Sequence, residues 1–151
     1  MNKENNSGQM GRVEIYFEDY HKIRIKRQKI YKWLNKVIEN EKLTFSNLVI
    51  ILCSDNYLLE LNQKYLKHND YTDIITFNNS EKGIISGDLY ISVDRVKENA
   101  ARYKVKFEEE LIRVIVHGTL HLMKYNDKTK PEKMIMREKE NFYINTYLSI
   151  E

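Results

Sequence analysis

The chain has 151 residues, enough for one domain with one hydrophobic core and too few for a multidomain assembly. Hydrophobic residues make up 42% and charged residues 31%, which excludes an intrinsically disordered chain, and no apolar run approaches the roughly 20 residues of a membrane span. The net charge of +3 permits a phosphate-bearing partner without requiring one, and the single cysteine excludes an internal disulfide and suits a reducing cytosol.

Met1 to Gly11 read as a disordered leader, with Met10 as an alternative start, and 12–151 as a single domain. Val13, Ile15 and Phe17 alternate with polar residues, which predicts a first strand. A helix is expected from about Ile25 to Glu41, with Ile30, Trp33, Leu34, Val37 and Ile38 on its apolar face. Asn47 to Cys53 read as a strand buried on both faces, with Cys53 a packing residue rather than a nucleophile. Ser54 or Asp55 caps the next helix, whose apolar positions are Tyr57, Leu58, Leu61 and Tyr65. Thr72 to Phe77 is a β-branched strand, Asn78 to Gly83 a turn, and Ile84 to Val93 a further strand interrupted by Gly87.

Asp94 opens a helix to about Tyr103. A longer one runs from about Phe107 to Met123, acidic at its start as the helix dipole favours, and Pro131 with Glu132 opens a last helix to about Leu148. The elements alternate without the regular spacing of a doubly wound fold. The expected architecture is α+β, a mixed sheet of about four strands packed with about five helices.

The chemistry concentrates at VHGTLHLMKYND, residues 116–127. Histidines four apart on a helix present both imidazoles on one face, so His117 and His121 can bind one ion. Ending the helix near Lys124 lets the chain turn back and bring the Asp127 carboxylate to the same ion. Two imidazoles and a carboxylate suit one Zn2+ with a fourth position open, whereas a closed structural site usually needs more ligands, often thiolates. An isolated HxxxH is often only a pair of surface or core histidines. Here the apolar helix around it makes unliganded imidazoles costly to bury. Gly118 costs about 1 kcal/mol in a helix relative to alanine, which suggests that bulk beside the site is not tolerated. It also stands where an H-E-x-x-H protease carries its general base, which argues against a peptidase.

Two basic clusters flank this picture: Lys22 to Lys32, and Lys124, Lys128, Lys130, Lys133, Arg137 and Lys139. Each is either a solvated surface or, for the second, a means of drawing an anionic substrate to the metal.

The segment HGTLHLMKYND resembles the HGxLHLxGYDH signature of the YbeY endoribonucleases. Leu61-Asn62 with Tyr65 and then Thr72 to Phe77 resemble that family's LNxxYRxxxxPTDVLSF block, Gly87 to Ser92 its GDIxIS strand, and Met136 to Glu140 the helix after the metal loop. The resemblance implies a zinc-dependent, single-strand-specific endoribonuclease of the cytoplasm. Its expected partners are single-stranded RNA, the 16S rRNA precursor and the small ribosomal subunit, in 3′-end maturation and quality control. Neither DNA nor a membrane is expected. Three departures stand out. Asp127 replaces the family's third histidine, with Asn126 at its aspartate position. Lys124 replaces the glycine at the bend, and Leu66 replaces an arginine linked to cleavage. Lys67 and His68 can take over that electrostatic role, though His68 reads equally as an exposed loop histidine; Asp88 is a candidate acid–base or supporting group or a structural turn residue after Gly87; Tyr71 and Tyr125 are available for base stacking, with Tyr125 read first as a helix-end packing residue. Two rivals are an RNA-binding ribosome-assembly module with a largely structural metal, and a metallohydrolase of another substrate class.

Overall fold

The computed structural model describes residues 11–151; of the expected leader at residues 1–11, residues 1–10 lie outside them. Nine elements follow: β1 (Arg12–Phe17), α1 (Arg27–Asn40), β2 (Thr44–Cys53), α2 (Asp55–Tyr65), β3 (Ile74–Asn78), β4 (Ile84–Ser92), α3 (Val93–Tyr103), α4 (Phe107–Leu122) and α5 (Lys130–Leu148). The sheet order is β1-β2-β4-β3. β2 runs parallel to both β1 and β4, and β3 closes the edge antiparallel to β4, so the sheet is mixed and the domain is α+β as expected.

The interior strands β2 and β4 supply the most deeply buried residues, among them Leu48, Ile50, Leu52, Leu89 and Ile91. α1 buries the five residues that its period predicts, Ile30, Trp33, Leu34, Val37 and Ile38. α4 is buried around most of its circumference, packed between the sheet, α3 and α5. α2 stands apart on the other side of the sheet, over a smaller cluster of Cys53, Leu58 and Ile75. No helix among the described residues is long and apolar enough to cross a membrane.

Two glycines let α4 lie close on the sheet. A Cβ at Gly118 would come within 2.6 Å of Ile74 Cδ1 and 2.9 Å of Leu89 Cδ2. A Cβ at Gly87 would meet the Phe77 carbonyl oxygen at 2.6 Å and Leu122 Cδ2 at 2.7 Å. Gly118 is thus required by helix–sheet packing, on the side of α4 that meets hydrocarbon. The expectation that it guards space beside the imidazoles is replaced by this contact.

Boundaries shift by small amounts for local reasons. β2 begins three residues early, because Thr44 and Phe45 pair with Ile84 and Ile85 across a register irregularity. Tyr65 is 55% exposed rather than on the apolar face of α2; Asn62 takes the buried place and donates to the Asp70 carbonyl at 2.8 Å. α5 opens one residue early on a capping box, in which Thr129 Oγ1 accepts from Glu132 N and Glu132 Oε1 accepts from Thr129 N.

Candidate metal centre

The last turns of α4 carry both histidines. Spaced one turn apart, they present Nε2 atoms 3.0 Å from each other. α4 stops at Leu122, and Lys124 adopts the left-handed conformation (φ 74°), with its N–H donating to the His121 carbonyl at 2.9 Å and the Tyr125 N–H donating to the Leu120 carbonyl at 3.0 Å. A lysine therefore makes the bend usually assigned to glycine. The chain reverses, and Asp127 Oδ2 comes 3.4 Å from Nε2 of each histidine.

The three candidate ligand atoms thus form a triangle of 3.0, 3.4 and 3.4 Å. Metal–ligand bonds of 2.0–2.1 Å in a tetrahedron place neighbouring ligand atoms about 3.3 Å apart, so the triangle has the dimensions of one tetrahedral face. His117, His121 and Asp127 are the group among the described residues able to hold a metal ion, each half-buried with one face toward an open cleft.

Behind His117 stands a residue that the sequence reading did not single out as part of the site. Glu140 of α5 is buried, and its Oε2 lies 2.7 Å from His117 Nδ1. A carboxylate can only accept, so Nδ1 carries the proton and Nε2 turns its lone pair to the triangle. Arg113 Nη1 donates to Glu140 Oε1 at 2.9 Å and Nη2 to Asn141 Oδ1 at 2.9 Å, which holds the carboxylate in place. Burial pushes the Glu140 carboxyl up, but the hydrogen bonds and charges of His117 and Arg113 outweigh it and leave it below the ordinary value. For His117 burial works against protonation, while Glu140, Asp127 and Asp73 favour it and raise the net value. Below them lies a cavity of about 180 Å3 with Asp73 and Glu110 on its wall. Burial raises both carboxyls, Glu110 to about 6.

The loop carrying Asp127 is fastened by another glutamate, Glu41, whose side chain is 8% exposed. Glu41 follows α1 directly and accepts from Tyr125 Oη at 2.6 Å, from Lys139 Nζ at 2.9 Å and from the Tyr143 hydroxyl. Tyr125 is thereby committed to packing, not to base stacking.

An open cleft of about 590 Å3 runs from the triangle past β3 to the loop after α2. His68, Leu66 and the half-exposed Tyr71 line it. Lys67 does not: it is an exposed left-handed residue (φ 57°) outside that lining. The structure does not bring Asp88 to the histidines either. Its strand neighbours Gly87 and Leu89 face α4, so alternation turns Asp88 to the opposite side of the sheet. Burial raises its carboxyl there. Cys53 is fully buried, its thiol pushed up to about 12 first by burial and then by surrounding carboxylates, as fits a packing residue.

Comparison with known proteins gives a consistent picture. The family model described as Endoribonuclease YbeY matches residues 15–148. A protein of Cytophaga hutchinsonii named Endoribonuclease YbeY is 52% identical over 116 residues, covering 76% of this chain and 81% of its own. The protein of the same name from Christiangramia forsetii is 42% identical over 132 residues, covering 87% and 92%. The solution structure of a Thermotoga maritima protein superposes with a TM-score of 0.65 at 26% identity, covering 90% of this chain and 89% of that one.

Proposed function

Because the chain belongs to the YbeY endoribonuclease family, we propose that it is a zinc-dependent, single-strand-specific endoribonuclease of the cytoplasm. Its proposed substrate is the 16S rRNA precursor, cut in 3′-end maturation and in quality control of the small ribosomal subunit. The single observation that carries the zinc dependence is the triangle of His117, His121 and Asp127, with Glu140 behind it.

His117, His121 and Asp127 would hold the ion. A bound divalent cation supplies Lewis acidity at a phosphoryl oxygen and lowers the pKa of water. The chain's own contribution is positional. Glu140 holds His117 as the Nδ1–H tautomer, the left-handed turn at Lys124 returns Asp127 to α4, and the cleft leaves the site open to a strand without secondary structure. His68 stands on the cleft wall where it can donate to a phosphate oxygen, with Tyr71 presenting a ring for base stacking.

The test is to incubate zinc-loaded protein with single-stranded RNA beside a His121→Ala control. Cleavage by the wild type that is lost in the variant is the expected result. Leu66, exposed at the cleft mouth where an arginine is expected, favours a second reading in which RNA is held without being cut. Tight binding with no cleavage by the loaded wild type would establish that reading instead.

A further inference from the structure

Three cavities meet at His117, and their walls differ in charge. The wall formed by β3 and the loop before it carries Asp70, Asp73 and His68, with Leu66 at the mouth, and contributes no lysine or arginine. The wall formed by α5 is cationic: Lys133 and Arg137 line a cavity of about 240 Å3 that also touches His117, Asp127 and Glu140. Of the cations clustered between Lys124 and Lys139, these two reach that cavity. Lys139 is instead paired with Glu41 at 2.9 Å.

Lys133 and Arg137 are four residues apart on one helix, so they stand on one face about 6 Å apart along its axis. The Arg137 side chain is 63% exposed and approaches Glu140 only to 3.7 Å. Glu140 is already engaged at shorter range by Arg113 and His117, which leaves the Arg137 fork for an incoming anion. A guanidinium binds phosphate oxygens in pairs, and an ammonium binds them as a point charge. Across the cleft, carboxylates repel phosphate, while Tyr71, backed by Arg95 at 5.3 Å from its ring centre, offers a face to a base.

Resting on the RNA reading above, we propose that Lys133 and Arg137 bind the substrate phosphates beside the metal triangle. The strand then lies with its backbone along α5 and its bases toward Tyr71, and the cation missing at Leu66 is supplied from the opposite wall.

The experiment measures cleavage of a single-stranded oligoribonucleotide by zinc-loaded wild type, a Lys133→Ala/Arg137→Ala double variant and a Lys128→Ala/Lys130→Ala control that removes equal charge nearby. The double variant is expected to raise KM about tenfold with kcat little changed, and to reduce the dependence of log KM on log salt concentration by about 1.4, the release expected for two phosphate contacts on a single strand. Zinc content stays that of the wild type, and Arg137→Lys recovers part of the loss. A double variant with the KM and salt dependence of the wild type, or of the control pair, would overturn the proposal while leaving the nuclease reading intact. A loaded wild type that neither binds nor cuts RNA would remove the reading on which the proposal rests.

Discussion

Lys139 and Glu140 are neighbours on α5, about 100° apart around its axis, yet they belong to two separate networks. Glu140 joins Arg113 to His117 and so touches a side chain of the candidate metal centre directly. Lys139 joins Glu41, which also accepts from Tyr125 and Tyr143 and reaches the site only through Tyr125, two residues before Asp127. Both glutamates have side chains less than a tenth exposed and held by several donors. The difference lies in what the donors are: an imidazole whose far nitrogen serves the triangle in one case, phenols and an ammonium in the other. Burial alone does not mark a carboxylate as part of the chemistry; its contacts do.

The largest effect is expected at Glu140. Glu140→Ala leaves the mostly buried Arg113 without its paired carboxylate, and stability measured by denaturant unfolding should fall by about 3 kcal/mol. Zinc affinity, read by chelator competition, should fall roughly 10- to 100-fold. Glu41→Ala should cost less, about 2 kcal/mol, because the Lys139 side chain is already 34% exposed and can turn to water. Its effect on zinc affinity should stay below about tenfold. Equal losses of zinc affinity in the two variants would erase the distinction between a clasp on a ligand and a clasp on a loop.

A pH series sharpens the same comparison. Burial pushes the Glu41 carboxyl up, but the hydroxyls of Tyr125 and Tyr143 and the Lys139 ammonium together hold it below its ordinary value of 4.5. The folded value is therefore the lower one, so its stabilisation is present above pH 4.5 and is lost as pH falls through the folded value. The Tm advantage of the wild type over Glu41→Gln should shrink on acidification through that range, and a constant advantage would show that the carboxylate charge plays no part.

Lys124 offers the smallest effect. A left-handed lysine is strained by about 1 kcal/mol relative to glycine, partly offset by glycine's greater freedom when unfolded. Lys124→Gly should therefore raise stability by about 0.5 kcal/mol and leave zinc affinity unchanged. A loss of stability would mean that the lysine side chain itself anchors the loop.

Much of this arrangement is legible in the sequence, and the exceptions have physical causes. The five buried positions of α1 follow from helical period alone. The spacing of His117 and His121 placed both imidazoles on one face, and the bend needed for Asp127 lies where Lys124 makes it. Glu140 had a readable signal: it lies on the same face of α5 as Met136, Tyr143, Ile144 and Tyr147, all buried, and a carboxylate on an apolar stripe calls for a partner. Glu41 had a fainter one, an acidic residue at a helix C-terminus where the dipole disfavours it. Lys67 and Asp88 were drawn toward the site by proximity in sequence and by residue type. Alternation along β4 could separate Asp88 from Leu89, but which face α4 covers depends on tertiary packing. The cationic wall of α5 was visible as composition; that Lys133 and Arg137 line the cavity while Lys139 turns to Glu41 is a matter of how α5 is rotated in the fold.

The central claim is that His117, His121 and Asp127 together hold one divalent ion. Equilibrium zinc binding to the wild type, His121→Ala and Asp127→Ala tests it most directly. The account predicts one zinc per wild-type chain, loss of that zinc in His121→Ala and markedly weaker binding in Asp127→Ala. One tightly held zinc in all three proteins would contradict it.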